Sequence, residues 1–149
     1  MTLLDPIARH LHERGVGVYD PTGEVQAVDW SVFPDHLPDE PGRAICLTVY
    51  GPGTGRPDPG LPWADARFQA RVRGSADPTE SRGKAEAIYG VLHGLAAVLL
   101  PGGLWVQEIQ ALQAEPAGLG ADGTGRHEHV INFEVSYDQP TVLRPALEG

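Results

Sequence analysis

The chain has 149 residues and a mass of 15.9 kDa, which suits one domain with a buried core and is too short for a multi-domain enzyme. Its formal charge of −9, from 20 acids against 11 bases, excludes a general attraction to nucleic acid or anionic membrane, so any polyanion contact must be local. The single thiol, Cys46, excludes an internal disulfide framework and a multi-cysteine metal site, and fits a reducing compartment. The 19 glycines and 14 prolines together stay below the ~25–30% of low-complexity sequence, and 41% hydrophobic residues predict a folded chain. Met1 to Pro6 carries no basic leader pattern, so no secretion signal is expected, and the longest apolar run, Leu95 to Leu100, is too short to span a bilayer.

Leu3, Leu4, Ile7, Ala8 and Leu11 recur at helical spacing and leave Arg9, Glu13 and Arg14 outside, which predicts a short amphipathic helix. It starts either at Thr2, with Asp5 completing a capping box, or at Asp5 with Pro6 as the first helical residue, and Gly15 and Gly17 end it. Val16, Val18 and Tyr19 predict a short strand stopped by the turn Asp20-Pro21-Thr22-Gly23. Residues 20 to 42 hold six acids and no Lys or Arg, an acidic connector in which Val28, Trp30 and Val32 suggest an edge strand and Trp30 and Phe33 anchor to the core. Ile45, Leu47 and Val49 alternate with Cys46, Thr48 and Tyr50 as a strand, and residues 51–62, eight of twelve of them Gly or Pro, read as an exposed loop.

Ala66, Phe68, Ala70 and Val72 alternate with Arg67, Gln69, Arg71 and Arg73, so this strand has one apolar face and one carrying three guanidinium groups. Asp77-Pro78-Thr79-Glu80 supplies a cap, a first-turn proline and an acid for a second helix. Its inner face is expected to hold Ala85, Ile88, Tyr89, Leu92, Leu95, Ala96 and Leu99, with Gly90 and Gly94 permitting close packing and Pro101-Gly102-Gly103 ending it. Leu104 to Ala114 predicts a strand with Trp105 and Ile109 on one face, Glu115 to Arg126 a second glycine-rich loop, and residues 130–137 the last strand, before a tail over 138–149. The order predicts a single α+β domain over residues 1–149: a largely antiparallel sheet of about four to five strands, two helices on one face and long Gly/Pro-rich loops.

Catalytic patterns are sparse. His127 and His129 share one side of a strand and could hold a metal, but no third ligand is evident nearby, and such a pair at a strand start is far more often a solvated edge. His36 and His93 stand alone and read as structural. Cys46 sits mid-strand without an activating base, no Gly-x-Ser-x-Gly elbow occurs, and neither glycine-rich run has phosphate-loop spacing. The positive feature is basic: Arg67, Arg71, Arg73, Arg82 and Lys84 place five of eleven bases within eighteen residues. They suit a phosphate backbone or an acidic partner, or pair with acids such as Glu134 on a neighbouring strand.

The order of these segments resembles the small bacteriophage tail-terminator proteins, also described as minor capsid proteins. The likeness spans most of residues 3–137. It is carried by the opening helix and Gly17-Val18-Tyr19-Asp20, by residues 41–51 (PGRAICLTVYG), by residues 68–74 (FQARVRG) running into a capped helix, and by residues 126–135 (RHEHVINFEV). The resemblance implies a non-enzymatic virion protein, without metal or other cofactor, assembled in the host cytoplasm. It implies a homohexameric ring that caps the head-proximal end of the tail tube, stops tube polymerisation, joins the head connector and lets DNA pass through its lumen. On this reading Arg67, Arg71, Arg73, Arg56, Trp63 and Arg126 are candidate intersubunit or partner contacts, and acids of residues 20 to 40 lie partly at the lumen. The alternatives are a head-closure or other neck protein, a small metal-dependent enzyme or binding module using His127 and His129, and a nucleic-acid-binding protein based on the arginine strand.

Overall fold

The computed structural model describes residues 3–23, 28–52 and 63–139. Its elements are α1 (Leu4–Glu13), β1 (Ser31–Pro34), β2 (Ala44–Pro52), β3 (Trp63–Arg73), α2 (Pro78–Leu92), β4 (Ala96–Leu100), β5 (Leu104–Ala111), β6 (Ala117–Ala121) and β7 (His127–Asp138). The strand order is β1-β2-β3-β7-β5-β4, with β6 also paired to β7. The β1–β2 pair is parallel and every other pair is antiparallel. The fold is therefore α+β as expected, but with seven strands rather than four to five, in a mixed and strongly curled sheet shaped like a half-barrel.

Bulges at Val49/Gly51, Val106/Glu108 and Gly118/Gly120 add local twist and drive the curl. Both helices pack on the concave side. Leu4, Ile7, Ala8 and Leu11 of α1 and Ala85, Ile88 and Leu92 of α2 join Ile45, Leu47, Phe68, Val72, Ile131 and Phe133 in one core. At its centre the Phe68 and Phe133 rings stack with centroids 5.1 Å apart, directly opposite in the β3–β7 register. α1 touches β1, β2 and β4, elements from both ends of the strand order, and so fills the mouth of the curl.

Neither expected start of α1 describes its cap. Leu3 occupies the N-cap position without a side-chain bond. Asp5 lies inside the first turn, where its carboxylate accepts from Arg9 and from the Tyr19 hydroxyl, both at 2.8 Å, and Thr2 lies outside the described residues. The end is as read: Gly15, at φ 73°, donates to the His12 carbonyl while Val16 N donates to the Leu11 carbonyl, the paired bonds of a glycine-terminated helix. Gly17 has another task, because a Cβ there would come within 2.7 Å of Val32. The expected strand at Val16–Tyr19 shrinks to a single bridge from Val18 to Ser31, and the edge strand begins at Ser31 instead of Val28.

The second helix is shorter than the periodicity implied. Asp77 caps it through Thr79 N at 3.0 Å, but it stops at Leu92, and Gly94 at φ 86° turns the chain into β4. Ala96 and Leu99 consequently lie on an exposed strand, not on a helix face. Gly90 faces open space and packs against nothing. Residues 101–103 form the β4–β5 turn, with Gly103 N donating to the Leu100 carbonyl at 3.0 Å. The bulge in β5 also separates Trp105 from Ile109: Ile109 is buried with Val106, while Trp105 points outward. Part of the expected loop at 115–126 is β6. Gly51 and Pro52, expected to open a loop, still belong to β2, and Asp138, expected to open the tail, belongs to β7; the rest of the expected loop, residues 53–62, and of the expected tail, residues 140–149, lies outside the described residues.

Candidate functional site

The arginine face of β3 lies on the convex side of the sheet, where its pleat places residues 65, 67, 69, 71 and 73 opposite the matching face of β7. Four of these five side chains find a polar partner across the strands. Ser136 donates to Asp65 at 2.6 Å, Arg67 to Glu134 at 3.1 Å and Gln69 to Asn132 at 3.1 Å. Arg71 grips Glu128 through two bonds of 2.7 and 3.1 Å, one position along the ladder. Glu128 holds the Arg71 guanidinium above its ordinary pKa, so its charge is permanent. Arg67 and Arg71 of the basic cluster are thus parts of a charge-balanced ladder. It leaves no uncompensated basic stripe of the kind a phosphate backbone needs.

Arg73 differs from its neighbours. It is only 4% exposed and donates to three carbonyls, those of Gly42, Pro38 and Pro41, at 2.8, 2.5 and 2.8 Å. Burial and the nearby Arg126 push its pKa down. Its role is to fasten residues 38–42, which include the cis Glu40-Pro41 bond, onto the sheet. Arg126 extends this clamp, donating to the Asp39 carbonyl at 2.8 Å and to Asp122 at 3.0 Å. Asp122 in turn accepts the Thr124 hydroxyl at 2.8 Å, together with Arg126 N and Thr124 N, and these bonds hold its carboxyl well below the ordinary range. Trp63 opens β3 opposite Asp138 and is half-buried, while Arg56 lies outside the described residues. Sequence reading found the arginines but not the backbone carbonyls that Arg73 binds, because carbonyls carry no residue-type signal.

The histidine pair is occupied differently from a metal site. His129 Nδ1 is 2.7 Å from the Ser81 hydroxyl of α2, and burial with nearby Arg82 and His127 lowers its pKa. Among the described residues no three His, Cys, Asp or Glu side chains converge to hold a metal ion. Cys46 sits 3.4 Å from the Thr48 hydroxyl, and burial raises its thiol pKa, which favours the inert protonated form. His93 Nδ1 accepts Ala111 N at 2.9 Å, and His36 meets the Phe33 ring edge-on, so both serve packing. The acids of the connector are dispersed: Asp29 reaches Arg43, which also pairs with Glu80, and Asp39 and Glu40 lie within the segment held by Arg73. Glu24 lies outside the described residues.

The paired charges of Arg67 with Glu134 and of Arg71 with Glu128 make a polar ladder that suits assembly. The family model for bacteriophage tail terminator proteins matches residues 10–139. This chain belongs to the bacteriophage tail terminator family. The match runs from within α1 through β7 and so takes in almost all of the fold. No curated protein matches the chain significantly. Tail terminators are structural, non-enzymatic proteins of the virion tail that associate with the tail tube, and membership assigns this terminator to that role.

Proposed function

We propose that this terminator closes the head-proximal end of the tail tube as a homohexameric ring, stops addition of tube subunits and presents the surface that joins the head connector. The family match across residues 10–139 carries this reading. The net charge of −9 supports a lumen through which DNA slides, since an acidic wall forms no lasting phosphate contacts. Arg67 and Arg71, each with a side chain nearly half exposed beyond its intrachain partner, are proposed contacts between subunits or with the tube, together with Trp63, Arg126 and Arg56. Arg73 contributes indirectly by holding residues 38–42 in place.

Polymerising purified tube protein with and without the terminator tests the reading. Tubes capped at one end by a ring, limited in length, with six chains per ring by light scattering, are expected; uncapped tubes of unchanged length refute it. Binding to the portal or adaptor without binding to the tube would instead identify a head-closure protein. Arg71→Glu alone would place two carboxylates at Glu128 and damage the ladder itself, so the contact is better tested by the exchange Arg71→Glu with Glu128→Arg.

A further inference from the structure

A cavity of about 330 Å³ lies on the convex face, between the turn that follows β1 and the outward side chains of β2 and β3. Cys46, Thr48 and Gln69 are its buried and half-buried lining, and Asp35, His36, Tyr50 and Arg71 are its exposed rim. Asp35 N donates to the Leu47 carbonyl at 2.8 Å, the last bond between the β1 segment and β2. The residue's φ of 70° then turns the chain over the sheet face, in a conformation that aspartate tolerates better than most L-residues.

Most polar groups around this cavity are already engaged. Both Glu128 oxygens hold Arg71, and Gln69 Nε2 donates to Asn132. The Cys46 thiol meets the Thr48 hydroxyl, and His36 binds within its own turn, with Nδ1 3.3 Å from the Pro34 carbonyl. Asp35 is the exception: among the described residues its carboxylate takes no hydrogen bond and no ion pair. Tyr50 adds an aromatic ring, 46% exposed, on which no described residue stacks.

The uncompensated charge at this cavity is therefore negative, since Glu128 balances Arg71. An anion would meet the Asp35 carboxylate. A guanidinium answers both open features, because it offers a carboxylate two parallel N–H bonds and lays its flat face on an aromatic ring; an ammonium is only a point charge. Within a partly enclosed cavity such a pair is screened by salt much less than one in open solvent.

We propose that this cavity binds an arginine side chain of a protein that assembles with the terminator. The Asp35 carboxylate takes the guanidinium, the Tyr50 ring lies against it, and the Thr48 hydroxyl and the Gln69 amide oxygen accept its remaining N–H groups.

The test titrates the isotopically labelled full chain with Nα-acetyl-arginine amide and, separately, with the uncharged Nα-acetyl-glutamine amide, following the backbone amide signals of Asp35, Thr48 and Tyr50. Saturable shifts with the arginine probe are expected, at least tenfold weaker binding of the glutamine probe, and loss of the response in Asp35→Asn with an unchanged thermal midpoint. Equal responses to the two probes, stronger binding of Nα-acetyl-glutamate amide, or a response untouched by Asp35→Asn overturn the inference. In the tube assay, Asp35→Arg is expected to reduce capping at least tenfold and Asp35→Glu to retain it. Undiminished capping by Asp35→Arg overturns the role of the site in assembly and leaves the proposed function standing. Failure of the unsubstituted chain to cap tubes overturns the proposed function, and the titration still decides whether the cavity takes an arginine.

Discussion

Arg73 shows how a residue's chemistry depends on what the fold brings to it. A guanidinium presents several donors in a fixed plane, which lets it span the carbonyls of Pro38, Pro41 and Gly42 at once; an ammonium is a point donor and cannot. Arg73→Lys is therefore expected to lose about 1–3 kcal/mol, a fall of several degrees in a thermal melt. An unchanged midpoint would show that the clamp is dispensable. His129 gives a pH prediction. Its folded pKa lies below the ordinary 6.5, so as pH falls the unfolded chain takes up the proton first. Its contribution is complete above about pH 6.5 and is lost as pH falls from there through the folded pKa. His129→Gln should flatten the loss of stability between pH 7 and 5 followed by denaturant titration, and an identical slope would contradict this assignment.

At the level of elements, the passage from α2 to β4 departs most from the sequence pattern. Ile88, Leu92, Leu95, Ala96 and Leu99 fit a helix face, but a short apolar run fits a strand as well, and periodicity alone does not separate them. Gly94 decides the matter locally, since its φ of 86° leaves the helix and its N–H donates to the Ile109 carbonyl of β5. Because a Cβ on Gly94 would meet open space, Gly94→Ala is expected to cost only the backbone strain, about 1 kcal/mol. Ala97 lies at φ 50°, so Ala97→Gly should do the reverse and stabilise the chain by about 0.5–1 kcal/mol. Equal midpoints for the two variants in chemical denaturation would refute the backbone account. By contrast, β3 and β7 were legible from their strict alternation because each buries one face against the helices and shows the other to the polar ladder.

For the whole molecule, a charge of −9 makes copies repel one another until salt screens them. Raising ionic strength from 0.01 to 0.15 M shortens the screening length from ~30 to ~8 Å. Ring formation should thus strengthen with added salt, as read by light scattering. Assembly that weakens steeply with salt would instead point to contacts made by the arginine ladder. The ladder is less suited to drive assembly alone, because Arg67 and Arg71 already have intrachain carboxylate partners whose exchange gains little at a solvated surface.

The sequence by itself determined the α+β class, the amphipathic first helix, the cap at Asp77, the alternating central strands and, through the order of its segments, the family. Each of these is written in local periodicity or in turn and cap chemistry that neighbouring residues impose on their own backbone. Only the tertiary structure decided that residues 96–100 are an edge strand, that 117–121 pair with β7, that Arg73 is buried among carbonyls and that His129 meets Ser81. Those outcomes depend on contacts between residues far apart in the chain, such as Gly94 with Ile109 and Arg73 with Pro38, and such contacts leave no trace in the spacing of either partner.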